Sequence, residues 1–296
     1  MIISAYFMAS SRKRNLWKPI KLLVQVMIFS ALQYSLIAVV KSDFKLSGFI
    51  ASFIPANYFV ILYIAVYIVS PYVNLIFENL DSNKRKMFIL ILVLLFAVYP
   101  TAVDILIEVT KRNLYGLSSI GVYGSQYGYS IVNFILCYCI GAYIHFESEK
   151  LDKIKVKKLI VVFILCVLIM TIWSAINDRV GYYTEKTAWE YCNPFVIMTG
   201  VCAFLLFRKM QIKNNKLINS LAKGSFTVNL LHINLVTHIG VKLFVNNNIF
   251  VLILHMVISS TGIYLTCWLV YLIYGRFEKA VFGFLMEKCK IPLLEI

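Results

Sequence analysis

Apolar residues run along this chain in long stretches, such as IKLLVQVMIFSALQYSLIAVV (20–40), separated by short polar clusters. About 20 predominantly apolar residues cross the hydrocarbon core of a bilayer. On that measure the pattern predicts spans near 19–40, 55–77, 87–109, 130–146, 159–176, 194–208, 225–245 and 249–274. Backbone amides in hydrocarbon must find partners within their own segment, and the segments of about ten alternating residues that a barrel needs are not seen. The expected fold is therefore all-α, a polytopic membrane helical bundle with about eight transmembrane helices. No linker rich in Pro, Gly or Ser divides the chain and no repeat is evident, so a single domain over 1–296 is expected.

Composition sharpens this picture. The chain is 60% hydrophobic and 15% charged, with a mean hydropathy of +0.79, outside the range of soluble globular proteins. A net charge of +15 suggests nucleic acid in a soluble protein, but here the cations fall in the short connections and orient the chain. Of the 29 Lys and Arg, 22 lie in one set of alternating segments (12–21, 84–86, 150–158, 208–223 and 276–290) and 7 in the other. By the positive-inside rule the first set is cytoplasmic, and both termini with it. The expected location is the cytoplasmic membrane, in multi-pass form, with membrane lipid as a partner and nucleic acid excluded. MIISAYFMAS lacks the charged start and apolar core of a secretory leader. The seven cysteines show neither framework spacing nor a paired metal pattern, and read as small buried hydrophobes with no metal to hold.

Against this background, polar side chains inside spans stand out. His232 lies about 12 Å into its span at 1.5 Å per residue, where polar side chains face a bundle interior or a watery cavity. It is either a functional imidazole or one bonded to a neighbouring helix. Ser225 and Asn229 precede it by seven and three positions and share its face. That polar stripe serves chemistry or helix–helix hydrogen bonding. His238 points elsewhere, so the two imidazoles share no metal; His145 and His255 are expected to be packed or interfacial. Asp104 and Glu108, four apart, form either an acid–base pair or an ion pair with the cations at 111 and 112. The outer loops GLSSIGVYGSQYGY (116–129) and NDRVGYYTEKTAWEY (177–191) alternate glycine, aromatic and charged residues. Tyr123, Tyr127 and Trp189 there are candidates for contact with sugar rings, or members of an interfacial aromatic belt. No Walker, GxGxxG, HExxH or GxSxG sequence occurs.

Four short stretches, in order, resemble acyltransferase family 3, the integral-membrane enzymes that O-acylate cell-surface polysaccharides. ISAYFM (3–8) is similar to that family's ISGYFL and is followed by the basic turn SRKRNLWKP; IVSPYVN (68–74) is similar to LLSPxxN; CYCIGAYI (137–144) to LYxIGAYI; and GSFTVNLLH (224–232) to SFGIYLIH. Ala5 stands where the family has Gly, and Asn229 where it has Tyr. The family's first span, with its histidine, is expected to precede ISAYFM, so the chain reads as truncated at its start and possible loss of activity is part of the expectation. The resemblance implies acyl transfer from acetyl-CoA to a sugar hydroxyl of a lipid-linked or exported glycan. Arg12, Arg14 and Lys18 would then hold the donor's phosphates, His232 would serve as base with Ser225 beside it, and Asp104, Glu108, Tyr123, Tyr127 and Trp189 would meet the glycan. The alternatives are an exporter of glycan intermediates, which lacks the expected broken helices, and a non-catalytic remnant.

Overall fold

A computed structural model describes residues 1–114, 116–122, 124–181, 187–210, 213–239, 243–289 and 293–295. The chain forms α1 (Ile2–Met8), β1 (Lys13–Asn15), α2 (Trp17–Lys41), α3 (Leu46–Ala51), α4 (Tyr58–Asn79), α5 (Ser82–Val93), α6 (Tyr99–Thr110), α7 (Ile131–Phe146), α8 (Ser148–Asp152), α9 (Val156–Val180), α10 (Pro194–Lys209), α11 (Lys216–Ile239), α12 (Ile249–Lys288) and β2 (Leu293–Glu295). A π-helical turn, Leu94–Val98, joins α5 to α6, so Ser82–Thr110 is one apolar rod. The architecture is all-α, as the hydropathy pattern predicts.

Among the described residues, six helical segments are long and apolar enough to cross a membrane. They hold the expected spans at 19–40, 87–109, 159–176 and 249–274, most of that at 55–77 from Tyr58 on, and that at 194–208, which is α10 of 16 residues counted with the turn before it as Thr187–Lys209. The expected span at 130–146 is α7, of 16 residues, about 24 Å long and short of a ~30 Å core. That at 225–245 falls on α11, whose polar residues dilute its apolar run and which is described as far as Ile239. The last helix runs on to Lys288. A count of eight therefore does not follow from the helices alone.

Two compact units are present. The first comprises Met1–Asn15, Asn57–Gln211 and Leu293–Ile296, and the second Leu16–Ala56 with Ile212–Pro292. In the first, α1 lies against α7 at Gly141, where an added Cβ would sit 2.4 Å from the Ile2 carbonyl oxygen and 2.6 Å from the Ala5 Cβ. Only a glycine lets the two backbones approach so closely. The core around this contact is aliphatic: Leu136, Ile140, Ile144, Ile197 and Leu205 are buried together. β1 and β2 pair antiparallel, Arg14 opposite Leu294.

Prolines inside α4 and at the start of α6 each free a carbonyl. Pro71 has no N–H for the Tyr67 oxygen, and the Ser70 hydroxyl donates to it instead at 2.7 Å. Pro100 lies just after the π turn, and the Ser119 hydroxyl donates to the Leu95 oxygen. A π turn ahead of proline widens the helix by one residue without ending it.

In the second unit α2, α11 and α12 pack together. Phe29, Leu231, Ile263, Cys267 and Tyr274 form its core. Gln25 donates to the Thr227 hydroxyl at 3.2 Å and Gln33 to the Leu230 oxygen at 3.1 Å, so α2 and α11 run in the same direction. Trp268 of α12 lies on Gly224, whose added Cβ would be 3.1 Å from Trp268 Cδ1, and its indole N–H donates to Ser220 at 3.2 Å. Five of the seven cysteines are buried, which fits their reading as small hydrophobes.

Candidate functional site

At one end of the first unit, three of the four motif stretches meet around Arg14. It is 2% exposed, and it bonds a hydroxyl and three carbonyls, with no carboxylate partner among the described residues. Nε donates to Ser70 Oγ at 2.8 Å, Nη1 to the Ser11 and Lys13 carbonyls at 2.9 Å each, and Nη2 to the Met8 carbonyl at 3.2 Å. The guanidinium also lies 5.6 Å from the Tyr67 ring centre. A buried charge is tolerated when its donors are satisfied, and a helix C-terminus offers carbonyls with no partner of their own. The end of α1 supplies Met8, and Ser70 of SPYVN donates to the Tyr67 carbonyl that Pro71 leaves open while it accepts from Arg14. Asn74 of the same motif donates to the Met8 and Ser11 carbonyls at 2.8 and 3.0 Å. Tyr138, from CYCIGAYI, donates to Asn74 Oδ1 at 2.7 Å.

This geometry separates the three cations expected to hold donor phosphates. Arg14 is spent on its own chain's carbonyls and shapes the turn. Arg12 is exposed and pairs with Glu78. Lys18 is exposed on the first turn of α2, in the second unit.

At the opposite end of α4 and α7, the loops before α7 and α10 come together. Gly124 (φ +89°) and Gly128 (φ +79°) hold left-handed conformations, and a Cβ at either would lie 2.5 Å from Asp104 Oδ1 or the Cys192 nitrogen. The glycines that alternate with tyrosine thus permit close packing. The Ser125 N–H donates to Asp104 at 3.2 Å, and the Ser125 hydroxyl donates to Glu190 at 3.1 Å. Ser125 and Glu190 are both buried. Beside them Tyr58, Tyr129 and Tyr191 form a row. The first two rings are 4.8 Å apart and edge-on, the second pair 5.3 Å apart, and each residue is about half exposed. Asn193, fully buried, caps α10 by accepting from the Phe195 N–H at 2.9 Å and donates to the Thr187 carbonyl at 2.9 Å, which anchors the loop that carries Glu190 and Tyr191.

Of the expected glycan-facing residues, Asp104 belongs to this assembly, and Tyr127 and Trp189 lie exposed on its two loops. Tyr127 accepts through its backbone oxygen from the Tyr191 N–H at 3.2 Å. Glu108 is half-buried one turn beyond Asp104. Tyr123 lies outside the described residues. Sequence reasoning missed Ser125, Glu190, Tyr58 and Tyr191 as a group. Three of them stand in the two loops already marked by composition, but nothing local says that they meet across 65 positions.

In the second unit, His232 is half-buried on α11 and its Nδ1 lies 2.8 Å from the Val228 carbonyl oxygen. That oxygen can only accept, so Nδ1 carries a proton. Ser225 and Asn229 share the face, as their spacing predicts, and both are exposed. The side chain of His238 lies outside the described residues. His145 packs edge-on to Tyr6 at 5.2 Å, and His255 lies 3.4 Å from the Ser259 hydroxyl.

A family model described as an acyltransferase domain matches residues 1–272. No curated protein and no solved structure matches the chain.

Proposed function

The chain belongs to acyltransferase family 3 and is a multi-pass membrane acyltransferase, and from that premise we propose that it O-acetylates a cell-surface or exported glycan. The donor is acetyl-CoA and the acceptor a sugar hydroxyl, presented at the outer face of the cytoplasmic membrane. The observation that carries this reading is the row Tyr58–Tyr129–Tyr191, half exposed beside the Ser125–Glu190 pair. Aromatic faces take the C–H face of a sugar ring, and neighbouring carboxylates and hydroxyls take its OH groups. The excess of Lys and Arg on the side of the Arg12 loop supports an inner position for that loop by the positive-inside rule.

Each residue has a role in this proposal. Arg12 and Lys18 meet the donor's phosphates, in exchange for the surface pairing Arg12 makes with Glu78. Arg14 holds the turn that displays Arg12. His232 Nε2 takes the proton of the sugar hydroxyl as the oxygen–acyl bond forms and the thioester carbon–sulfur bond breaks, and hands that proton to the departing thiolate. Ser225, Asn229, Asp104, Glu108, Tyr127 and Trp189 contact the acceptor or its path.

The aromatic row makes the reading testable. Tyr129→Ala raises the KM for the glycan about tenfold, each lost stacking contact costing on the order of 1 kcal/mol, with kcat changed less. Steady-state acetyl transfer to a glycan acceptor measures it. An unchanged KM in Tyr129→Ala and Tyr191→Ala alike contradicts the assignment.

A further inference from the structure

A groove of about 400 Å³ runs through the second unit, between the last turns of α2 and the middle of α11 and α12. Its walls include Leu36 and Ile37 of α2, Leu231 and Leu235 of α11, and Val270 of α12. Polar groups along it are turned to the protein itself: Gln33 donates to the Leu230 carbonyl and Thr266 to the Gly262 carbonyl, at 3.1 and 2.9 Å. The lining is thus hydrocarbon over its length, except at one rim. There Lys41, the last residue of α2, is exposed. It makes no ion pair among the described residues, whereas its neighbour Lys45 is 3.5 Å from Asp43.

The α2 wall extends from Leu32 to Lys41, about 14 Å at 1.5 Å per residue. A long apolar channel with one cation at its end is complementary to an amphiphile that has one anionic group. We propose that the groove holds the phosphate-proximal part of the hydrocarbon tail of a single-chain lipid phosphate, with the phosphate on Lys41. Its single channel suits one chain; a two-chain phospholipid would leave the other outside. The tail lies along the helix that carries His232, since Leu231 precedes the imidazole by one position. This rests on the acyl-transfer reading for one point only, that the acceptor glycan arrives on such a lipid carrier rather than free.

The test uses the full chain in detergent and a polyprenyl monophosphate, with neither glycan nor acyl donor present, so a protein that transfers no acyl group passes or fails on binding alone. Native mass spectrometry titrates the lipid onto the native chain, Lys41→Gln and Leu36→Trp, with phosphatidylglycerol and uncharged polyprenol as competitors. Leu36 and Lys41 are both exposed, and circular dichroism verifies the fold of each variant. The expected result is retention by the native chain, weakened about tenfold in Lys41→Gln, the size of one lost charge-assisted contact. Leu36→Trp, which fills the channel, weakens binding at least as much. Native-like binding in either folded variant, or equal competition by polyprenol or phosphatidylglycerol, overturns the proposal.

Discussion

His232 and Arg14 show two fates for a polar side chain among apolar helices. His232 ties one ring nitrogen to its own helix, and the other makes no hydrogen bond among the described residues, which leaves it for the base role proposed above. Replacing it with alanine is expected to lower kcat by about 100-fold or more, the usual contribution of a positioned acid–base group, with little change in the KM for donor. Arg14 spends its donors on the carbonyls of Met8 at the end of α1 and of Ser11 and Lys13 in the turn that follows. Asn74 shares that task, so Asn74→Leu removes one donor from each of the Met8 and Ser11 oxygens, leaving them to Arg14, and takes away the acceptor of the Tyr138 hydroxyl. It is expected to cost about 2–4 kcal/mol, read as a lowered midpoint of thermal unfolding in detergent. Position made His232 conspicuous in the sequence. The burial of Arg14 was not legible, because it depends on where a seven-residue helix stops and on the hydroxyl that a proline-freed carbonyl orients, and periodicity encodes neither.

At the scale of elements, the spans were legible because run length is the property that a bilayer selects. Their ends were not. The last helix continues to Lys288 since nothing in GRFEKAVFGFLMEK breaks a helix, and β2 is three residues of an apolar stretch with no pattern of its own. The connection between α7 and α8 carries a testable feature. Glu147 is 4% exposed and bonded to Ser82 at 2.7 Å, Lys150 at 2.9 Å and Arg85 at 3.2 Å. Burial by itself pushes its carboxyl up, but the bonds from Ser82, Lys150 and Arg85 together outweigh this and hold it below the ordinary range. A carboxyl depressed on folding stabilises the protein above the unfolded pKa of about 4.3, and this contribution fades as the pH falls through that value towards the folded one. Unfolding midpoints recorded between neutral and acid pH are thus expected to fall more steeply for the native chain than for Glu147→Gln. Parallel slopes contradict the role given to the three bonds.

For the molecule as a whole, the polytopic class and the family followed from run lengths and four ordered motifs, and the match over residues 1–272 agrees with both. The two compact units were not legible. They arise because α2 and α3 leave the sequence neighbourhood of α1 to join α11 and α12, a choice made by side-chain complementarity such as Gln25 on Thr227 rather than by any linker. The sites assigned to donor, base and acceptor have meaning only if the whole chain moves an acyl group from one side of a membrane to the other. The most direct measurement uses proteoliposomes with acetyl-labelled acetyl-CoA on the side of the Arg12 loop and a glycan acceptor on the opposite side. The account predicts labelled ester on the glycan, abolished in His232→Ala; no ester from the native protein, or equal ester from the variant, contradicts it.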